Sequence, residues 1–238
     1  MKRVAIIQSS YIPWKGYFDI IHTVDEFILF DQVQYTKNDW RNRNRIKTAA
    51  GLKWLTIPVR YKFQGKETQR IDETRVAHSA WAQSHWETLK QVYKSAKHFS
   101  TYAREIQYLY ENAAQLTLLS EINEQFILGI NRLLGITTKV SRSTDYPFVK
   151  GRTEQLVSLC RAVGATEYLS GPKARAYLEE DLFRAQGIQV RYKEYAYPEY
   201  EQRYPPFLHE VSILDLLFNL GEEAPQYIWG WRAQSGTP

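Results

Sequence analysis

Apolar positions change their period several times along the chain, and each change marks an element. Val4 to Gln8 reads as a short buried strand whose apolar run stops at Gln8, ended by SSYIPWKG, where Pro13 and Gly16 interrupt any regular structure. Between Tyr17 and Val24, Phe18, Ile20, Ile21 and Val24 fall at helical spacing, and EFILFD, from Glu26 to Asp31, reads as a second strand. Strand, loop, helix and strand make a βαβ unit with parallel strands and a right-handed crossover. Ligands of such sheets gather beyond the carboxyl ends of the strands, here the loop from Gln8 to Lys15 and the chain from Asp31 onward.

The next stretch alternates. WRNRNRI and LKWLTIPV, joined around Ala49, Ala50 and Gly51, read as a hairpin. Alternate residues of a strand share a face, so Arg41, Arg43 and Arg45 point one way and Asn42 and Asn44 the other. From Trp81 to Leu134 the period becomes helical: Trp81, His85, Leu89 and Val92 form one stripe, and Leu116, Leu119, Asn123, Phe126, Ile130 and Leu133 another. The stretch from about 78 to 136 is expected to be a helical lobe set within a single domain spanning 1–238. Strand and helix patterns then resume, as TKVSRS, a helix around Cys160, EYLSG, a helix over AYLEEDLF, QVRYKEY, and a last helix VSILDLLFNLG closing at Gly221. The expected fold class is α/β, a mainly parallel central sheet with flanking helices and the inserted helical lobe.

Composition narrows the function classes. The chain has 238 residues with a formal net charge of +5 and a sequence pI near 9.1. This balance suits a polyanion such as tRNA or a phosphate-bearing small molecule. Its 17 tyrosines and 7 tryptophans offer flat surfaces for sugars or bases. A single cysteine excludes a disulfide framework, and Cys160, on the apolar stripe of Leu156, Leu159 and Val163, reads as core. The five histidines lack metal-ligand spacing, so no metal site is expected. No apolar run approaches a membrane span, and the basic start MKRVAIIQSS lacks a cleavage site, so the expected location is the cytoplasm.

Four segments carry candidate chemistry. In QSSYIPWKGYFD, a loop entering a helix start is a ready anion site, with Gln8 and Lys15 as candidate catalytic groups and Tyr11, Trp14 and Tyr17 as stacking or covering rings. In DQVQYTKNDWRNRNR, Asp31 ends a strand at the mouth of the sheet, placed to be a general base, to hold Mg²⁺ against phosphates, or only to receive an arginine. Gln34, Tyr35, Trp40, Arg41, Asn42, Arg43, Asn44 and Arg45 follow as candidate binding residues. Three arginines on one face repel one another unless anions lie between them, and each forms paired hydrogen bonds to phosphate or carboxylate. In EYLSGPKARAYLEE, Ser170, Gly171, Lys173 and Tyr177 line a second strand-end loop without the spacing of a P-loop. In YEQRYPPFLHEVSILDLLFNLG, Gln202 and Asp215 are polar groups among tyrosines, although Ser212 and Asp215 also fit a helix capping box.

These segments together, QSSYIPWKGYFD, FDQVQYTKNDWRNRNRIKT with WLTIPV, EYLSGPKARAYL and YEQRYPPFLHEVSILDLLFNLG, resemble the WbqC-like protein family from Val4 to Gly221. Many members have His-Gln-Pro where this chain has Ile7, Gln8 and Ser9, two aspartates where it has Asp31 and Gln32, and a glycine where it has Ala174. The resemblance implies a role in bacterial surface-polysaccharide and O-antigen assembly, as an acyl or glycine transferase acting on a nucleotide-linked amino sugar. The donor stays open between an ATP/Mg-activated acyl group, a CoA-linked one and an aminoacyl-tRNA. Two rivals remain beside it: a nucleotidylyltransferase-like enzyme that activates a carboxylate with ATP, and a non-catalytic module that binds tRNA or an assembly complex.

Overall fold

The computed structural model describes residues 1–60, 63–64 and 67–232. Its centre is a sheet of β1 (Arg3–Ile7), β2 (Glu26–Leu29), β5 (Lys139–Arg142), β6 (Glu167–Ser170) and β7 (Gln189–Tyr192), ordered β7-β6-β1-β2-β5 with every neighbouring pair parallel. The hairpin of β3 (Arg43–Thr48) and β4 (Gly51–Thr56) is antiparallel and separate from it. The chain runs outward from β1 to β2 and β5, then returns to the other side of β1 for β6 and β7. That reversal puts the topological switch point of the sheet between the carboxyl ends of β1 and β6, where ligands of such sheets usually bind.

Alternation along the strands divides the core between the two sheet faces. Ala5, Phe27 and Leu29 pack with α1 (Lys15–Thr23), α2 (Ala80–Tyr93), α3 (Phe99–Ala113), α4 (Leu119–Leu133) and α7 (Ile213–Leu220). Val4, Ile6 and Ile28 pack with α5 (Arg152–Ala162) and α6 (Glu180–Arg184), and Cys160 is fully buried there, its thiol pushed up to about 12 by burial.

Several boundaries differ from expectation for identifiable reasons. Helix α1 starts at Lys15 rather than Tyr17, with Trp14 folded back over Gly16, where any side chain would meet the indole. Between the two predicted stripes lies a third helix, α3, buried through Tyr102, Ile106, Leu109, Tyr110 and Ala113. The helix expected over AYLEEDLF is reduced to α6, because Pro172–Ala176 forms a 3-10 turn first. Strand β7 stops at Tyr192, so KEY lies outside it. Helix α7 does close at Gly221, whose φ of +59 and contact with the His98 ring both require glycine.

Candidate functional site

Strand β1 ends at Ile7 and β2 at Leu29, so Gln8, Ser9 and Asp31 emerge side by side at the rim of the sheet. The Ser9 backbone N–H donates to Asp31 Oδ1 at 2.8 Å, and Phe30 N–H to the Ile7 carbonyl at 3.0 Å. Tyr17, from the first turn of α1, donates its hydroxyl to the Gln8 carbonyl at 3.1 Å. Arg41 reaches in from the turn before β3 and donates to the Ser9 carbonyl at 3.0 Å. Asn123 of α4 secures the arrangement, donating to Ser9 Oγ at 3.0 Å and to the Arg41 carbonyl at 2.9 Å.

The electrostatics of this cluster follow from its burial. Asp31 is 6% exposed, and loss of solvent lifts its carboxyl to about 6. The Ser9 hydrogen bonds and the positive Arg41 pull it down, while the nearby Asp72 carboxylate pushes it up. Asp72 arrives on the 3-10 turn Ile71–Glu73, its backbone N–H donating to the Asp31 carbonyl at 3.1 Å and its carboxylate gripped by Arg70 at 2.9 and 3.0 Å. Burial and the Asp31 charge hold the Tyr17 phenol well above its usual range. A carboxylate poised near neutrality beside a cation and backbone donors can take a proton from a nucleophile while the guanidinium faces an anion. The register pairing Ala5 with Leu169 brings Ser170 and Gly171 alongside the end of β1, so the loop carrying Lys173 lies at the switch point, across β1 from Asp31. Lys173 and Tyr177 are exposed there, with the Arg152 guanidinium carbon 3.5 Å from the centre of the Tyr177 ring.

Other candidates lie elsewhere. Lys15 does not join Arg41: its ammonium donates to the Pro198 carbonyl at 3.0 Å and sits 5.1 Å from the ring centres of Tyr197 and Tyr200 and 5.8 Å from that of Phe207. Burial lowers it to about 8. The early start of α1 causes this, because Lys15 becomes the first helical residue and its side chain turns under the segment from 197 to 207. Trp14 packs edge-on to Tyr195 and Tyr197 on that side. Tyr11 is fully buried, bonded to His85 at 2.9 Å and Tyr110 at 2.7 Å, and Tyr35 is 1% exposed, so neither presents a ring to a ligand. Asn42 and Asn44 are buried, their amides donating to the Ile57, Tyr11 and Ile12 carbonyls, which pins the hairpin to the loop after β1. Gln34 is exposed and bridges to Arg70.

Asp215 is fully buried. Ser212 caps α7 through the Leu214 N–H, but the Asp215 carboxylate turns away from the cap and accepts from Tyr93 and Tyr200 at 2.7 Å and from Gln202 at 2.8 Å. The arginine row keeps its alternation but divides: Arg41 turns in to the Ser9 carbonyl beside Asp31, whereas Arg43 and Arg45 lie over tryptophan rings on the outer face of the hairpin.

Ser9, Asp72 and Asn123 escape sequence reasoning as site residues. Asn123 sits on an apolar stripe and Asp72 in a charge-mixed turn; only Ser9, inside the strand-end loop, carried a local signal. Among the described residues no group of three or more His, Cys, Asp or Glu is placed to hold a metal ion, and no helix is long and apolar enough to cross a membrane.

A family model described as the WbqC-like protein family matches residues 8–227. The chain is also similar to the uncharacterized protein Rv1507c of Mycobacterium tuberculosis, with 48% identity over 229 residues, 96% of this chain and 98% of that protein.

Proposed function

The chain belongs to the WbqC-like protein family, and from that premise we propose that it is an enzyme transferring an acyl or aminoacyl group, such as glycine, to the amine of a nucleotide-linked amino sugar during surface-polysaccharide (O-antigen) assembly. The observation that carries this reading is the Asp31 carboxyl, buried at the carboxyl rim of the parallel sheet and lifted to about 6. Above that pH it is ionised and accepts a proton. The sugar amine attacks the acyl carbonyl, a C–N bond forms, the bond to the donor oxygen or sulfur breaks, and the nitrogen's proton passes to Asp31. Arg41 and the backbone amides of the loop after β1 supply positive charge for the diphosphate and the developing oxyanion.

The test is to incubate the protein with UDP- or dTDP-linked amino sugars and, in separate arms, acyl-CoA, aminoacyl-tRNA, or ATP, Mg²⁺ and an amino acid, then to weigh the products by mass spectrometry. The expected result is a gain of one acyl or aminoacyl mass, lost in Asp31→Asn. No gain with any donor overturns the reading. Pyrophosphate release without transfer to the sugar would indicate carboxylate activation instead.

A further inference from the structure

The outer face of the hairpin carries a repeated pairing of cation and indole. Arg43 and Arg45 stand two positions apart on β3, and the register sets Trp54 opposite Arg45. Trp40 joins from the preceding turn, its ring centre 5.4 Å from that of Trp54 at an interplanar angle of 38°. The Arg43 guanidinium carbon lies 4.1 Å from the Trp54 ring centre, and that of Arg45 lies 5.2 Å from both tryptophans. Each indole nevertheless keeps 40% of its surface exposed.

Two further observations say what this face would hold. Arg43 donates to the Asn38 carbonyl and Arg45 to Glu210, each through Nη2, and the Nε–H groups of both are buried without an acceptor in the protein, so neither guanidinium is saturated by the fold. The hairpin from Arg43 to Thr56 has four basic residues, Arg43, Arg45, Lys47 and Lys53, and no acid, which gives it a single sign of charge. Guanidiniums laid on aromatic faces are weakly hydrated and hold phosphate through paired donors. Residues two apart on a strand are separated by about 6.6 Å, a spacing comparable with that of successive phosphates along an extended strand. Exposed indoles between such cations take bases of any sequence by stacking. The arginines partly cover the rings, and a pair so covered suits stacking better than insertion into lipid.

We propose that the Trp40–Trp54 and Arg43–Arg45 ladder is a binding surface for single-stranded nucleic acid, with bases stacked on the indoles and phosphates on the guanidiniums. The Arg45 ion pair with Glu210, at 2.6 Å, is exchanged for phosphate on binding, since Glu210 is 74% exposed and returns readily to water. The proposal stands on the ladder and is independent of the transfer reaction.

Fluorescence anisotropy of the full chain with a labelled single-stranded RNA oligonucleotide, and with the same sequence as a duplex, tests it. The single strand is expected to bind more tightly than the duplex, with log affinity falling against log salt by about 0.7 per neutralised phosphate. R43A/R45A reduces that slope by about 1.4. W54A weakens binding between about fivefold and 150-fold, while W54F, which keeps a ring, retains most of it. Circular dichroism melting establishes that each variant is folded. Unchanged affinity in folded W54A and R43A/R45A, equal binding of the duplex, or no binding at low salt overturns the proposal. So does co-sedimentation with phosphatidylcholine/phosphatidylserine vesicles in the absence of oligonucleotide binding, which would make this a membrane surface.

Discussion

Replacing Asp31 with asparagine is expected to abolish transfer and yet stabilise the fold. Asparagine has the same shape, and its Oδ1 can still accept the Ser9 N–H that Asp31 accepts at 2.8 Å. What disappears is a buried negative charge. The carboxyl titrates at about 6 in the folded protein, against about 3.9 in an unfolded chain. Between those values the folded state binds more protons than the unfolded state, so stability falls as pH rises. The ionisation therefore costs nothing below about pH 4 and its full amount above pH 6. That gap of about two pH units corresponds to about 3 kcal/mol, with no discount for solvent because the group is 6% exposed. For a chain of this size each kcal/mol moves Tm by roughly 2–4 °C, so Asp31→Asn should melt several degrees higher at pH 8 and level with the parent at pH 4. Differential scanning calorimetry across that range is the assay. A variant that melts lower at pH 8, or whose difference does not change with pH, would refute the reasoning that Asp31 is a strained, functional charge.

Three further outcomes follow from named contacts. Arg41→Gln removes the cation that holds the Asp31 carboxyl down, so the acid limb of the pH–rate profile should move above pH 6; an unmoved limb would separate Arg41 from Asp31. Desolvation would raise Glu26, but hydrogen bonds from Lys2, Lys139, Ser141 and Tyr146 outweigh it and hold the carboxyl at about 2, so it stabilises the fold above its unfolded value near 4.3 and the benefit is lost as pH falls toward 2. With both lysines partly in solvent, Glu26→Gln should cost about 1–2 kcal/mol at pH 7 and almost nothing at pH 2, read as Tm against pH. Arg232 grips the buried Asp19 at 3.0 and 2.6 Å, and Lys193 and Tyr197 remain as partners after Arg232→Ala, so the loss should be about 2 kcal/mol and the melting point about 4–8 °C lower; an unchanged Tm would show that the tail pins nothing.

Local periodicity made much of the architecture legible. Val4–Gln8, 17–24 and 26–31 announced the first βαβ unit, and the alternation of Arg41, Asn42, Arg43, Asn44 and Arg45 announced that arginines and asparagines take opposite faces, while only the structure shows that the asparagine face is the buried one. Helix α3 falls inside the stretch expected to be helical, but its stripe of Tyr102, Ile106 and Leu109 is crossed by charged and polar positions and gives no separate signal of its own. The strand-end rule pointed to Asp31 and the loop after β1, since both depend only on where a strand stops.

What the sequence by itself determined is most of the elements and the two faces of each strand, because those depend on residues three, four or two positions apart. Tertiary structure alone decided which distant groups share one volume: Asp72 and Asn123 against Asp31 and Ser9, Trp54 opposite Arg45, and the segment from 197 to 207 over Lys15. Those meetings set the charge state and reach of each side chain, since a carboxyl or an ammonium responds to the dielectric and the charges around it, and these exist only once the chain has closed.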